Sequence, residues 1–161
     1  CVALLVTRRH PRFARHAPPP RINAKIESHL RFVGQAEGVC LGLTYKPKTD
    51  DMRDAPSLVI VPELQAAGAR VVAYDPEGLR TAKPLLPGVE FADNAYACLK
   101  GADAAVVVTE WDEFRALDLA RVKASLAAPI MVDLRNIYPI KAMKALGFRY
   151  VCVGRGFGGE G

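Results

Sequence analysis

Half of the 161 residues are hydrophobic, enough for one buried core at this length, and no apolar run approaches the ~20 residues that cross a bilayer. The net charge of +5 is local: Arg8, Arg9, Arg12, Arg15, Arg21, Lys25 and Arg31 face one acid, Glu27, and the remaining chain is near neutral. A basic excess confined to one terminal stretch argues neither for nucleic acid nor for a membrane surface.

Residues 1–35 read as a poorly structured basic head, with Pro18-Pro19-Pro20 favouring an extended conformation and no hydrophobic period across the stretch. The chain opens on Cys1 rather than Met, which reads as a fragment. From about residue 36 the text becomes that of a folded domain, expected over 36–155, and 156–161 reads as a flexible glycine-rich tail.

A buried strand is expected over 39–43, followed by a charged loop over 44–53. Asp54-Ala55-Pro56-Ser57 opens a helix that should run to about Ala67 and stop at Gly68, with Pro62 expected to kink or shorten it. Arg70-Val71-Val72-Ala73-Tyr74 is the next strand, closed by the turn former Asp75-Pro76. A loop and a weak strand near 89–91 follow, and Asn94 caps a helix ending at Gly101. Residues 104–108 form the most strand-like run. A helix over 111–127 breaks near Leu117, Ile130-Met131-Val132 is a strand, 140–146 is helical, and 150–153 is the last strand.

Strands that alternate with helices and are apolar throughout specify an α/β fold. The expected architecture is a doubly wound, mostly parallel, Rossmann-like sheet of about six strands in three layers. Ligands of such sheets bind outside the carboxyl ends of the strands, so the exit loops 44–53, 75–78 and 133–138 are the candidate positions.

The first loop gathers Lys46, Lys48 and Arg53 ahead of a helix N-terminus, a combination suited to a diphosphate. The same composition also describes a solvated loop whose acids and bases pair with one another. Arg135, in Asp133-Leu134-Arg135-Asn136, either faces the ligand crevice or pairs with Asp133 or another nearby acid. The first strand leaves through Gly42-Leu43-Thr44-Tyr45 rather than G-x-G-x-x-G, so this domain is not expected to cradle a dinucleotide pyrophosphate.

No catalytic residue is assigned. His10, His16 and His29 all lie in the head, and Cys98 has no activating neighbour beyond Lys100. Cys1, Cys40, Cys98 and Cys152 form no metal-ligand spacing, so no metal site is expected, and apolar, unpaired cysteines fit a reduced, cytoplasmic setting.

The string Gly42-Leu43-Thr44-Tyr45-Lys46-Pro47-Lys48-Thr49-Asp50-Asp51-Met52-Arg53-Asp54-Ala55-Pro56-Ser57 closely resembles the opening of the C-terminal domain of the UDP-glucose/GDP-mannose dehydrogenase family. Tyr74-Asp75-Pro76, Gly101-Ala102-Asp103, Thr109-Glu110-Trp111 and Asp133-Leu134-Arg135-Asn136 follow in the same order, and the resemblance spans about 38–155. It implies a UDP-binding domain of an NAD-dependent oxidoreductase that takes UDP-glucose to UDP-glucuronate in two oxidations. It implies substrate contacts at Tyr45, Lys46 and Arg135, and a contact with NAD at Arg53 across a domain interface. The implied partners are an N-terminal NAD-binding domain, a central segment with the catalytic Cys, and further copies in a homo-oligomer. A GDP-mannose or UDP-amino-sugar dehydrogenase domain is the alternative within the family. A stand-alone nucleotide-binding module with a basic tail is the alternative outside it. Too few aromatics in the head, Phe13 and Phe32 only, argue against nucleic-acid stacking.

Overall fold

A computed structural model of the chain describes residues 37–153, with side chains from Leu41 onward. The basic head, the glycine-rich tail, the three histidines and the side chain of Cys40 lie outside the described residues.

Six strands form one parallel sheet: β1 (Glu37–Leu41), β2 (Arg70–Tyr74), β3 (Glu90–Phe91), β4 (Ala104–Val107), β5 (Ile130–Asp133) and β6 (Arg149–Cys152). Their spatial order is β3-β2-β1-β4-β5-β6, and every pairing is parallel. The helices are α1 (Ser57–Ala66), α2 (Leu79–Ala82), α3 (Ala95–Leu99), α4 (Asp112–Arg115), α5 (Leu119–Ser125) and α6 (Ile140–Ala145).

Alternate residues of each strand serve opposite faces. Val71, Ala73, Val106 and Val108 pack with Ile60, Val61 and Leu64 of α1 and Ala82 of α2. Val72, Tyr74, Ala105 and Val107 pack with Leu99 of α3, Phe114 of α4, Val122 of α5 and Met143 of α6. β4 is buried at all four positions because it has neighbours on both edges and helices on both faces, which is why its text is an unbroken apolar run. This three-layer arrangement is the expected one.

Three local expectations are corrected. The first strand lies two residues earlier than 39–43, because Gly42 (φ +86°) already turns the chain away from the sheet. Pro62 does not shorten α1, which continues to Ala66. It lies on the exposed face, where the carbonyl of Leu58 that it leaves without an amide donor can turn to water. The loop after β2 contains the single helical turn α2, too short for any periodicity to register. The break near Leu117 is confirmed: Asp118 caps α5, accepting from the amides of Ala120 (2.9 Å) and Arg121 (3.1 Å). Asn94 caps α3 in the same manner through the Ala97 amide, at 2.8 Å.

Candidate functional site

The strand order reverses between β1 and β4, so the crevice of this sheet opens where their exit loops diverge. Those loops touch at Gly42. A Cβ there would stand 2.6 Å from Thr109 Cβ and 2.7 Å from the Thr109 amide nitrogen, so no side chain fits. The contact is then locked by Thr109 Oγ1, which donates to the Thr44 carbonyl at 2.6 Å.

The β1 exit loop is long, running from Gly42 to α1, yet it is tethered along its length. Ser57 Oγ donates to the Leu43 carbonyl at 2.5 Å, the Tyr45 amide to the Asp51 carbonyl at 3.0 Å, and Thr81 Oγ1 of α2 to the Asp50 carbonyl at 2.7 Å. Lys48 (φ +62°) and Asp54 (φ +54°) hold left-handed backbone conformations, which cost energy and persist only where the surroundings impose them. A third such residue, Asn136 (φ +57°), lies in the β5 exit loop, where its side-chain amide exchanges two hydrogen bonds with the backbone of Val153 (3.0 and 3.1 Å).

Two buried carboxylates anchor this edge. Asp75 accepts from the amides of Leu43, Thr44, Glu77 and Gly78, from Thr44 Oγ1 and from the Trp111 indole. It is the turn former expected at the end of β2, and its bonds also reach the β1 and β4 exit loops. Asp133 accepts from the amides of Arg135 (2.9 Å), Ile137 (2.8 Å) and Tyr138 (3.2 Å) and from the Tyr150 hydroxyl (2.7 Å), which shapes the β5 exit loop. Burial and the Asp133 charge push the Tyr150 hydroxyl well above its usual range.

Tyr45, Lys46, Arg53 and Arg135 all lie at this carboxyl edge. Leu41, Val107 and Asp133 are in register across β1, β4 and β5, so the roots of the first and last of these loops are two strand spacings apart, about 10 Å. Tyr45 is half exposed, and its hydroxyl lies within electrostatic reach of the Arg135 guanidinium. Lys46 is exposed and makes no ion pair with the described residues, although Asp51 feels its charge.

The other cations are paired. Arg135 grips Glu110 with two nitrogens, Nε to Oε2 and Nη2 to Oε1, which answers the alternative raised for it: the acid is Glu110 of the β4 exit, not Asp133. The pair holds the Glu110 carboxyl below its ordinary range and the Arg135 guanidinium above its own. Arg53 forks onto Asp51, with its Nη2 2.7 Å from Oδ2, and this pulls the Asp51 carboxyl down to about 2. Lys48 approaches Asp112 at 3.9 Å and Arg80 approaches Asp50 at 3.8 Å, both on open surface. The first loop is thus cation-rich, and of its cations Arg53 pairs within the loop while Lys48 approaches an acid outside it.

Two open clefts border the loop. One of about 690 Å³ is lined by Met52, Arg53, Leu58, Pro84 and Leu85 among others. The other, of about 530 Å³, is lined by Lys48, Thr49, Asp50, Glu77, Arg80 and Trp111. Arg53 lines the first, whereas Tyr45, Lys46 and Arg135 line neither. Glu110 and Thr109 were not singled out from the residues themselves. The usable signal was positional: β4 borders β1 at the reversal of strand order, so its exit belongs to the crevice as much as that of β1. Among the described residues no group of His, Cys, Asp and Glu could hold a metal ion, and Cys98 and Cys152 are buried thiols outside any disulfide.

A parallel sheet of this order, with cations and capped loops gathered at its switch point, defines a Rossmann-like domain of the nucleotide-binding class. Residues 39–140 match the UDP binding domain of the UDP-glucose/GDP-mannose dehydrogenase family, and the chain belongs to that family. It is 52% identical over 115 residues to the UDP-glucose 6-dehydrogenase of Rhizobium meliloti (strain 1021), covering 71% of this chain and 26% of the relative. It is 37% identical over 134 residues to the UDP-glucose 6-dehydrogenase TuaD of Bacillus subtilis (strain 168), covering 81% and 29%. Among solved structures, the UDP-D-ManNAc dehydrogenase of Pyrococcus horikoshii aligns with a TM-score of 0.61 at 27% identity, over 84% of this chain and 29% of that one. The UDP-glucose dehydrogenase of Pyrobaculum islandicum aligns with a TM-score of 0.62 at 25% identity, over 78% and 27%. The chain therefore spans between a quarter and a third of the length of these proteins.

Proposed function

We propose that this chain is the nucleotide-sugar-binding domain of an NAD-dependent UDP-glucose 6-dehydrogenase, the folded unit being 36–155. The observation that carries the reading is the 52% identity over 115 residues to a UDP-glucose 6-dehydrogenase. TuaD of Bacillus subtilis, also a UDP-glucose 6-dehydrogenase, shares 37%, and the two relatives together favour glucose over an amino sugar. In this reading Lys46 offers a mobile point charge to the diphosphate, Arg135 offers a planar fork whose orientation Glu110 sets, and Tyr45, next to Lys46 in the chain, lies within electrostatic reach of Arg135.

The residues at this edge do not fit a dinucleotide of their own. β1 departs through a long tethered loop instead of a tight glycine turn, and Asp75, placed where an acid would meet a ribose, spends both oxygens on protein donors. NAD is accordingly assigned to an N-terminal domain of a longer parent protein, with Arg53 reaching toward it. A central segment would supply the catalytic Cys. By itself the domain binds nucleotide sugar and oxidises nothing, because binding without a nucleophile and a hydride acceptor lowers no barrier. The parent enzyme is assigned to the cytoplasm as a homo-oligomer. Among the described residues no helix is long and apolar enough to cross a membrane.

Calorimetric titration of the 161-residue chain with UDP, UDP-glucose, GDP-mannose and single-stranded RNA tests the reading. UDP and UDP-glucose should bind, and Lys46→Ala and Arg135→Ala should each weaken them about tenfold. Tight RNA binding that ignores both substitutions would sink it, as would a preference for GDP-mannose.

A further inference from the structure

Asp75 is fully buried, and its donors come from three different strand exits. Its Oδ2 accepts from the Leu43 amide (2.7 Å), the Thr44 amide (3.1 Å), Thr44 Oγ1 (3.0 Å) and Trp111 Nε1 (3.1 Å). Its Oδ1 accepts from the amides of Glu77 (3.1 Å) and Gly78 (2.7 Å). A carboxylate can serve this many donors because it accepts at both oxygens and donates nothing, whereas an amide side chain would turn an N–H toward donors on one side. The β2 turn is pressed against Thr44 as well: a Cβ at Gly78 would stand 2.4 Å from Thr44 Cγ2.

The clamped amides belong to the two residues immediately before Tyr45 and Lys46. The Thr44 carbonyl is held from the opposite side by Thr109 Oγ1 at 2.6 Å, so the peptide leading into Tyr45 is fixed at both ends. Trp111, the donor from the β4 exit, is the residue after Glu110, which grips Arg135. One carboxylate therefore joins the loop carrying Tyr45 and Lys46 to the loop carrying the partner of Arg135.

We infer that Asp75 is a positioning residue: it holds Tyr45 and Lys46 at the spacing from the Glu110–Arg135 pair that a nucleoside diphosphate requires. This rests on the assignment of those residues as ligand contacts. Trp111 is the only tryptophan in the chain, so its emission reads the Asp75 hydrogen bond directly.

The test is titration of the 161-residue chain with UDP, by calorimetry and by Trp111 fluorescence, for the parent sequence and three variants. Asp75→Asn should bind UDP about tenfold more weakly, with red-shifted Trp111 emission that no longer responds to UDP. Thr44→Val, which keeps the shape and removes a hydroxyl shared between Asp75 Oδ2 and the Lys46 carbonyl, should lose about threefold. Val151→Ala, in β6 and away from the clamp, should lower Tm while leaving UDP affinity and Trp111 emission unchanged. Folded Asp75→Asn that binds UDP like the parent overturns the inference. So does Val151→Ala, if it loses the same affinity at the same Tm, since the effect would then be one of stability alone. Should Asp75→Asn not fold, unchanged affinity in Thr44→Val overturns it. A parent sequence that binds no UDP overturns the reading of the site itself, and the inference with it.

Discussion

The β1 and β5 exit loops share one edge of the sheet, and each is secured by a buried aspartate, yet they present their cations in opposite ways. Asp75 reaches the β1 loop from a neighbouring strand and leaves Lys46 exposed with no ion pair among the described residues. Asp133 belongs to the β5 loop's own strand end, and the loop it shapes offers a guanidinium already gripped by Glu110. The backbone is preorganised in both cases and the charge in only one. A lysine so placed contributes attraction without a fixed direction, and an arginine held by a carboxylate contributes direction at the expense of free charge.

The largest expected effect that would break this comparison is loss of the β5 anchor. Asp133→Ala strips three backbone amides of their acceptor, two of them buried, and leaves the Tyr150 hydroxyl only the Tyr138 carbonyl, and should cost about 3 kcal/mol or more in urea unfolding. A loss below 1 kcal/mol would mean that water serves those donors and that Asp133 is not the anchor.

The contact between the β1 and β4 exits comes next. Gly42→Ala adds a clash with Thr109 to the strain of a left-handed backbone and should cost about 2 kcal/mol or more. Gly68→Ala shares the left-handed backbone (φ +94°) but faces open space, and should cost only about 1 kcal/mol. Equal losses in thermal melts would show that the β1–β4 contact adds nothing.

The smallest effect sharpens the contrast in charge. The Glu110 carboxyl is depressed below its ordinary 4.5 by Arg135, so the pair's contribution to stability is complete above that value and is lost as the pH falls through the lower folded value. The stability difference between the parent sequence and Glu110→Gln should stay below about 1 kcal/mol at neutral pH and shrink toward zero under acid. A difference that grows on acidification would contradict the assigned direction.

Most of the fold was legible in the text because continuous apolar runs such as Ala104–Val107 can be buried on both faces only in a covered parallel sheet. Boundaries were less legible where a single contact sets them. The end of β1 depends on how closely Gly42 approaches Thr109, a residue far along the chain. Pro62 was legible as a breaker and not as a tolerated one, since tolerance depends on which helical face meets solvent. Within the candidate site, Lys46, Arg53 and Arg135 stood out by charge and strand-end position. Glu110 did not, because its role is defined by Arg135, which lies 25 residues away.

The sequence by itself determined the alternation of strands and helices, the family, and the edge of the sheet at which the cations gather, since these follow from local apolar patterning and from a distinctive string of residues. Only the tertiary structure decided which charges are spent on one another and which stay available. The Arg135–Glu110 pair depends on the distance between two exit loops that lie close because their strands are in register, and nothing in the order of residues along the chain encodes that distance locally, whereas Arg53 and Asp51 pair two residues apart within one loop.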